Sequence, residues 1–155
     1  KCFGVRGIER FEKDVFGRGL PEYIFFMEGV NDCTHGFAFH QPQEVPDGEK
    51  LYQGLEKIIE KAHERGSKIF ISTVMPFNCR EEAFRKEAEK IRQEFNGYIR
   101  EKAVKKADGF LDLDLLMRDP EDPHFMKPGL SLDGIHPNEI GGEKIAEAIS
   151  ESFWK

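Results

Sequence analysis

Two short segments of this 155-residue chain carry the residue types that acid–base chemistry needs. In Asp133-Gly134-Ile135-His136-Pro137-Asn138 a carboxylate stands three residues before an imidazole. Imidazole titrates near neutral pH, so His136 is the natural general base. A base needs an acceptor that fixes its tautomer, and Asp133 can reach it across a tight turn that Gly134 permits. The second segment is Gly29-Val30-Asn31-Asp32-Cys33. The neutral amide of Asn31 could donate to a developing oxyanion, and Gly29 lets the backbone approach closely. Each segment also has an ordinary reading: Asp-Gly is a common turn, and Asn-Asp can form an Asx-turn. Cys33 is a further candidate nucleophile that could pair with His136, against the alternative of a small buried thiol.

Whether these residues meet depends on the elements that carry them. Ile8, Phe11 and Val15 recur at helical spacing and stop at Gly17 and Gly19. Tyr23 to Met27 is a continuous apolar run, as in a strand buried on both faces. A loop is expected from Asn31 to about Asp47. Leu51, Leu55, Ile58, Ile59 and Ala62 form a helix stripe closed by Gly66, and Lys68 to Val74 reads as a strand stopped by Pro76. Phe84 to Tyr98 reads as a long helix and Phe110 to Leu113 as a short strand. Arg118 to Pro137 reads as a loop rich in Pro and Asp. A last helix carries Ile145, Ile149 and Phe153, with Asn138 as N-cap. Strands alternating with helices imply right-handed crossovers and a parallel sheet. In such sheets ligands bind beyond the carboxyl ends of the strands. Asn31, Asp32, Asp133 and His136 all fall on that edge, together with Thr73 to Pro76 and Asp112-Leu113-Asp114. Three strands make a narrow sheet whose apolar faces want neighbours, so a further strand or two is expected upstream of Lys1.

Composition narrows the function classes. The chain is 39% hydrophobic and 34% charged, as a globular domain is, and its formal charge of −6 with scattered Lys and Arg disfavours nucleic acid and anionic membrane. No apolar stretch is long enough to cross a bilayer. Cys2, Cys33 and Cys79 are too few and too irregular for a disulfide framework or a zinc motif, which fits a reducing, cytoplasmic setting.

With their order, the two blocks resemble the SGNH (GDSL-like) hydrolases: Gly29-Val30-Asn31-Asp32 is similar to their G-x-N-D block and Asp133 to His136 to their D-x-x-H block. Arg10-Phe11-Glu12-Lys13-Asp14-Val15, Ala62-His63-Glu64-Arg65-Gly66 and Arg118-Asp119-Pro120 fit the flanking text. The resemblance implies a flavodoxin-like three-layer α/β/α sandwich and one esterase-type domain over residues 1–155. It implies ester hydrolysis through a serine acyl-enzyme, without cofactor or metal. Carried over, Asn31 is the oxyanion donor with Gly29 beside it, Asp133 the triad acid, His136 the base, and Asp32 a supporting, structural residue. The family's G-D-S turn with the nucleophilic serine, and the block with the oxyanion glycine, have no counterpart here and are expected upstream of Lys1. Ser67, Ser72, Ser131, Ser150 and Ser152 are all poorly placed to replace that serine. The implied partner is a small ester, short acyl or acetylated sugar, with the loop from Thr34 to Asp47, including Phe37, Phe39 and His40, shaping its pocket. The strand edge beside Tyr23 to Met27 is expected to pair with the upstream segment or another chain.

Three other classes compete. A nucleotide-binding domain would need a glycine-rich loop between strand and helix, and Gly17-Arg18-Gly19 and Gly141-Gly142 lie elsewhere. A metal hydrolase would have to draw on Asp32, His35, His40, Asp114 and His136, none of which has helical zinc spacing. The third class is an inert interaction module.

Overall fold

The apolar runs become three parallel strands in the computed structural model, which describes residues 5–39, 41–78 and 82–153. They are β1 (Tyr23–Phe26), β2 (Lys68–Ser72) and β3 (Gly109–Leu111), in the order β1-β2-β3. Ile24 stands opposite Ile69, Phe26 opposite Ile71, and Ile71 opposite Phe110. Because side chains alternate across a strand, these five share one face. That face packs into the main core with α1 (Gly7–Phe16), α3 (Gly48–Glu64) and α4 (Arg85–Glu101). Phe25 and Phe70 point the other way, under α6 (Glu139–Phe153), whose Phe153 ring lies 4.4 Å from Phe70 and 6.0 Å from Phe25. Helices therefore cover both faces of the sheet, giving the expected three-layer α/β sandwich.

Several boundaries are set by side-chain caps. Asp47 accepts from the Lys50 amide at 2.8 Å to start α3, and Asn138 accepts from the Gly141 amide at 3.0 Å at the head of α6. Asp112 accepts from the Leu115 amide at 3.0 Å and ends β3 by starting α5 (Leu113–Met117), so the third strand is shorter than expected. The segment expected as a loop from Asn31 to Asp47 instead holds α2 (Val30–Ala38) and a 3₁₀ turn at Pro42–Glu44. Cys33 and Phe37, four residues apart, are buried by α2 and hold it against α4, with Phe37 stacked on Phe84 at 5.1 Å. Among the described residues β1 has β2 as its one strand neighbour, and no helix is long and apolar enough to cross a membrane.

Candidate active site

The turn Ser131–His136 closes on itself. Asp133 Oδ1 accepts from the backbone amides of Ile135 at 2.9 Å and His136 at 2.8 Å, leaving Oδ2 to meet His136 Nδ1 at 2.8 Å. The backbone amide of His136, its ring and the Ile135 amide together hold the Asp133 carboxyl well below the usual carboxylate range. Asp133 is therefore an anion that accepts from Nδ1–H, and Nε2 is the ring nitrogen left to take a proton. The imidazole side chain is 80% exposed. Gly134 makes the turn possible twice over: its φ is +77°, and a Cβ there would lie 2.8 Å from Asn78 Cβ. The Ser131 hydroxyl donates to the His136 carbonyl at 2.7 Å and accepts from the Gly134 amide at 2.9 Å, so it is spent on the turn.

The other segment sits at the exit of β1. Gly29 has φ +124° and precedes α2, and a Cβ on it would lie 2.8 Å from Val74 Cγ2 and 3.2 Å from Phe95 Cε1. No other residue type fits there without displacing core. Asn31 follows, exposed, in the first turn of α2, where unpaired amides give the helix end a partial positive charge. Asp32 is beside it and exposed, and the protein packed around its carboxyl still raises it above the ordinary value against the opposing pull of its own backbone amide, His35 and Arg6. The two segments are brought to one edge by the exit of β2. Val74 walls Gly29 at one end of this exit, and the Asn78 amide donates to the Gly134 carbonyl at 2.8 Å at the other. Ile135 and Val30 both pack on the main core from that edge.

The family model for GDSL-like lipases and acylhydrolases matches residues 4–144. The chain belongs to that family. Its fold is similar to that of a GDSL-like lipase from Bacteroides thetaiotaomicron, with TM-score 0.70 and 18% identity over 93% of this chain and 67% of the other. It is also similar to an acetylxylan esterase from Geobacillus stearothermophilus, with TM-score 0.68 and 15% identity over 94% of this chain and 64% of the other. That structure is a catalytic mutant with an aspartate changed to alanine, and another structure of the same enzyme is a catalytic mutant with a serine changed to alanine. At such identities the likeness is one of fold. The chain spans about two thirds of the length of these two structures. No curated protein sequence matches it.

Within this GDSL-like fold the remaining candidates can be sorted. Cys33 is fully buried, and burial together with the Asp32 charge pushes its thiol up to about 12, so it is neither accessible nor a thiolate at neutral pH. Ser67 lies at the amino edge, donating to the Pro21 carbonyl at 2.6 Å, and Ser72, the last residue of β2, is buried with its hydroxyl turned to the Phe26 carbonyl. Ser150 and Ser152 are on the last turns of α6. Gly141 is needed for packing, since a Cβ there would lie 2.5 Å from the Leu130 carbonyl oxygen. Among the described residues no group of three His, Cys, Asp or Glu is arranged to hold a metal ion. Asp114 is instead bound to Arg92 and Arg100. His40 and Cys79 lie outside the described residues. Phe37, Pro42, Val45, Pro46 and Asp47 do line a groove of about 320 Å³ with α4, but Asn31, Asp133 and His136 are not among its walls.

The edge is also tied together by bonds that the residue pattern does not show. Thr73 donates to Asp112 at 2.9 Å and accepts from the Asp114 amide at 2.9 Å, tying the exits of β2 and β3 together. Arg92 and Asn96, both fully buried on α4, bind the backbone of Val74. The carboxylates at the end of β3 were a visible signal. Their partners were hidden, because Arg92, Asn96 and Arg100 recur every four residues beside an apolar stripe and look like a solvated helix face.

Proposed function

We propose that residues 1–155 form the acid–base part of an esterase domain that cleaves small esters through a serine acyl-enzyme. His136 is the general base, Asp133 fixes its tautomer and stabilises the imidazolium, and Asn31 donates to the oxyanion with Gly29 allowing the close approach. Asp32 supports that turn. The nucleophile comes from outside these residues. The observation that carries this reading is the Asp133–His136 pair: a 2.8 Å bond to Nδ1, a carboxylate held anionic, and an exposed ring on the carboxyl edge of a parallel sheet. Further support comes from Asn31 at the positive end of a helix, which suits a developing negative charge. The serine and aspartate mutants called catalytic in the Geobacillus acetylxylan esterase fit the same division of roles. That enzyme's substrate also favours short acyl groups, an acetylated sugar among them.

The test uses the full-length protein. A fluorophosphonate should label one serine, outside residues 1–155, and labelling should abolish hydrolysis of a short aryl ester, with or without chelator. Labelling at Cys33, labelling at a serine within these residues, or chelator-sensitive turnover would overturn the reading.

A further inference from the structure

A guanidinium and an amide are costly to bury unless every polar atom finds a partner, and apolar side chains would pack α4 onto the sheet without that cost. Yet Arg92 and Asn96 are both 0% exposed. Their partners explain why they are there. The Asn96 side chain accepts from the Val74 amide at 2.8 Å and donates to the Val74 carbonyl at 2.9 Å, as a neighbouring strand would. Arg92 adds a second donor to the same carbonyl at 3.1 Å and is anchored to Asp114 at 2.6 Å and to Glu89. β2 has left the ladder at this point, since its last residue is Ser72. Val74 is thus fixed by side chains of α4 at the place where its own side chain walls Gly29. Phe95, next to Asn96 on α4, is the other wall.

We propose that Asn96 is a positioning residue for the oxyanion side of the site. Its two bonds set Val74, Val74 and Phe95 set Gly29, and Gly29 sets where α2 begins and hence where Asn31 stands. Arg92 is the brace that keeps this clamp in register with α5. The catalytic consequence rests on the reading of Asn31 as oxyanion donor; the mechanical one does not. An oxyanion donor acts only within a narrow geometry, and a small misplacement of a catalytic group costs much of its effect.

The experiment uses two variants of the full-length protein. Asn96→Leu keeps the volume and removes both bonds; Val74→Ala keeps the clamp and removes the wall. Both should shift the amide resonances of Gly29 and Val30 and the side-chain NH₂ of Asn31 in ¹⁵N–¹H spectra, while the Ser131–His136 amides hold still. Both should lower kcat on a short aryl ester by about tenfold to a hundredfold with KM nearly unchanged. Ile99→Val, which trims the buried face of the same helix, should leave both readouts alone. If Asn96→Leu does not fold, Asn96→Asp, which keeps the acceptor for the Val74 amide and loses the donor to its carbonyl, decides by the same two readouts. The proposal is overturned if the Gly29-to-Asn31 signals stay put in a folded variant, or if Ile99→Val lowers kcat equally. Should the signals move while Asn31→Ala retains full turnover, the clamp stands and the reading of Asn31 fails. Should they stay put while Asn31→Ala is inactive, the clamp fails and that reading stands.

Discussion

The Ser131–His136 turn and the Arg92–Asp114 cluster are both built from charged and polar side chains, yet they satisfy those groups in opposite ways. Bonds within the turn join residues at most five positions apart, and its imidazole faces water. Besides short-range pairs such as Arg92–Glu89, the cluster's bonds join α4, the β2 exit and the start of α5 across 12 to 41 positions, around a guanidinium and a carboxylate that are both fully buried. A local arrangement at the surface contributes little to holding the fold and can be changed without harming it. A long-range arrangement in the interior ties elements together and cannot. The carboxyl edge thus has a part proposed to react and a part that holds.

Removing His136 should give the largest effect. In the full-length protein His136→Ala is expected to lower kcat about a thousandfold or more, with the urea midpoint unchanged. Asp133→Asn should lose less, because the imidazole survives in a less favourable tautomer. A large loss of stability in His136→Ala would erase the distinction between the two regions. Asp114→Ala tests the other side. It removes one of the two carboxylates that hold the buried Arg92, with Glu89 as the one that stays, and takes from Arg100 one of its bonds, so it costs up to about 3–5 kcal/mol in denaturant titrations. A change below about 1 kcal/mol, the scale of exposed ion pairs, would mean the cluster behaves like a surface pair. Asn31→Ala comes next, with kcat down about a hundredfold to a thousandfold and KM nearly constant. Asn31→Asp should be at least as damaging, because a carboxylate repels the oxyanion. An Asx-turn that merely shapes the loop would tolerate that change, so near-normal turnover in Asn31→Asp would remove Asn31 from the site.

The smallest effect is the response to acid. Burial pushes the carboxyls of Asp112 and Glu89 up, but Arg100, the Leu115 amide and Thr73 for the first, and Arg92, Gln93 and His124 for the second, more than offset it. Both groups therefore titrate below their unfolded values. Their contribution to stability is full above the unfolded carboxylate pKa of about 4 and is lost as pH falls through the lower folded values. Thermal midpoints should accordingly hold level from neutrality down to about pH 5 and fall only below about pH 4. Loss between neutrality and pH 5 would assign the acid sensitivity to other groups.

The sheet and the Asp133–His136 turn, as structure, were legible in the sequence for the same physical reason. A short unbroken apolar run such as Tyr23 to Phe26, bounded by turn residues, reads as a strand with cover on both faces. Asp133-Gly134 announces a turn that is closed by bonds among its own neighbours. Two helices were not legible. In α2, Asn31, Asp32, Thr34 and Gly36 are poor helix formers, and the helix exists because Cys33 and Phe37 are buried together. α5 has only five residues and owes its start to the Asp112 cap. The buried cluster was hidden for a different reason. Periodicity treats charged positions as solvent-facing, so Arg92 and Asn96 could be recognised as interior only once the partners on two other elements were known.

The local closure of the turn also has a kinetic consequence. The amides of Gly134, Ile135 and His136 all donate within the turn, to the Ser131 hydroxyl and to Asp133 Oδ1. They sit in an exposed loop, where amide protons ordinarily exchange with solvent within moments of meeting deuterium. Here they should be retained longer than those of neighbouring surface segments, in the absence of any substrate. On the proposed reading of His136 as the base, the order that proton transfer needs is already present in the resting molecule, so the entropy of arranging the imidazole would be lost during folding and not again at each turnover.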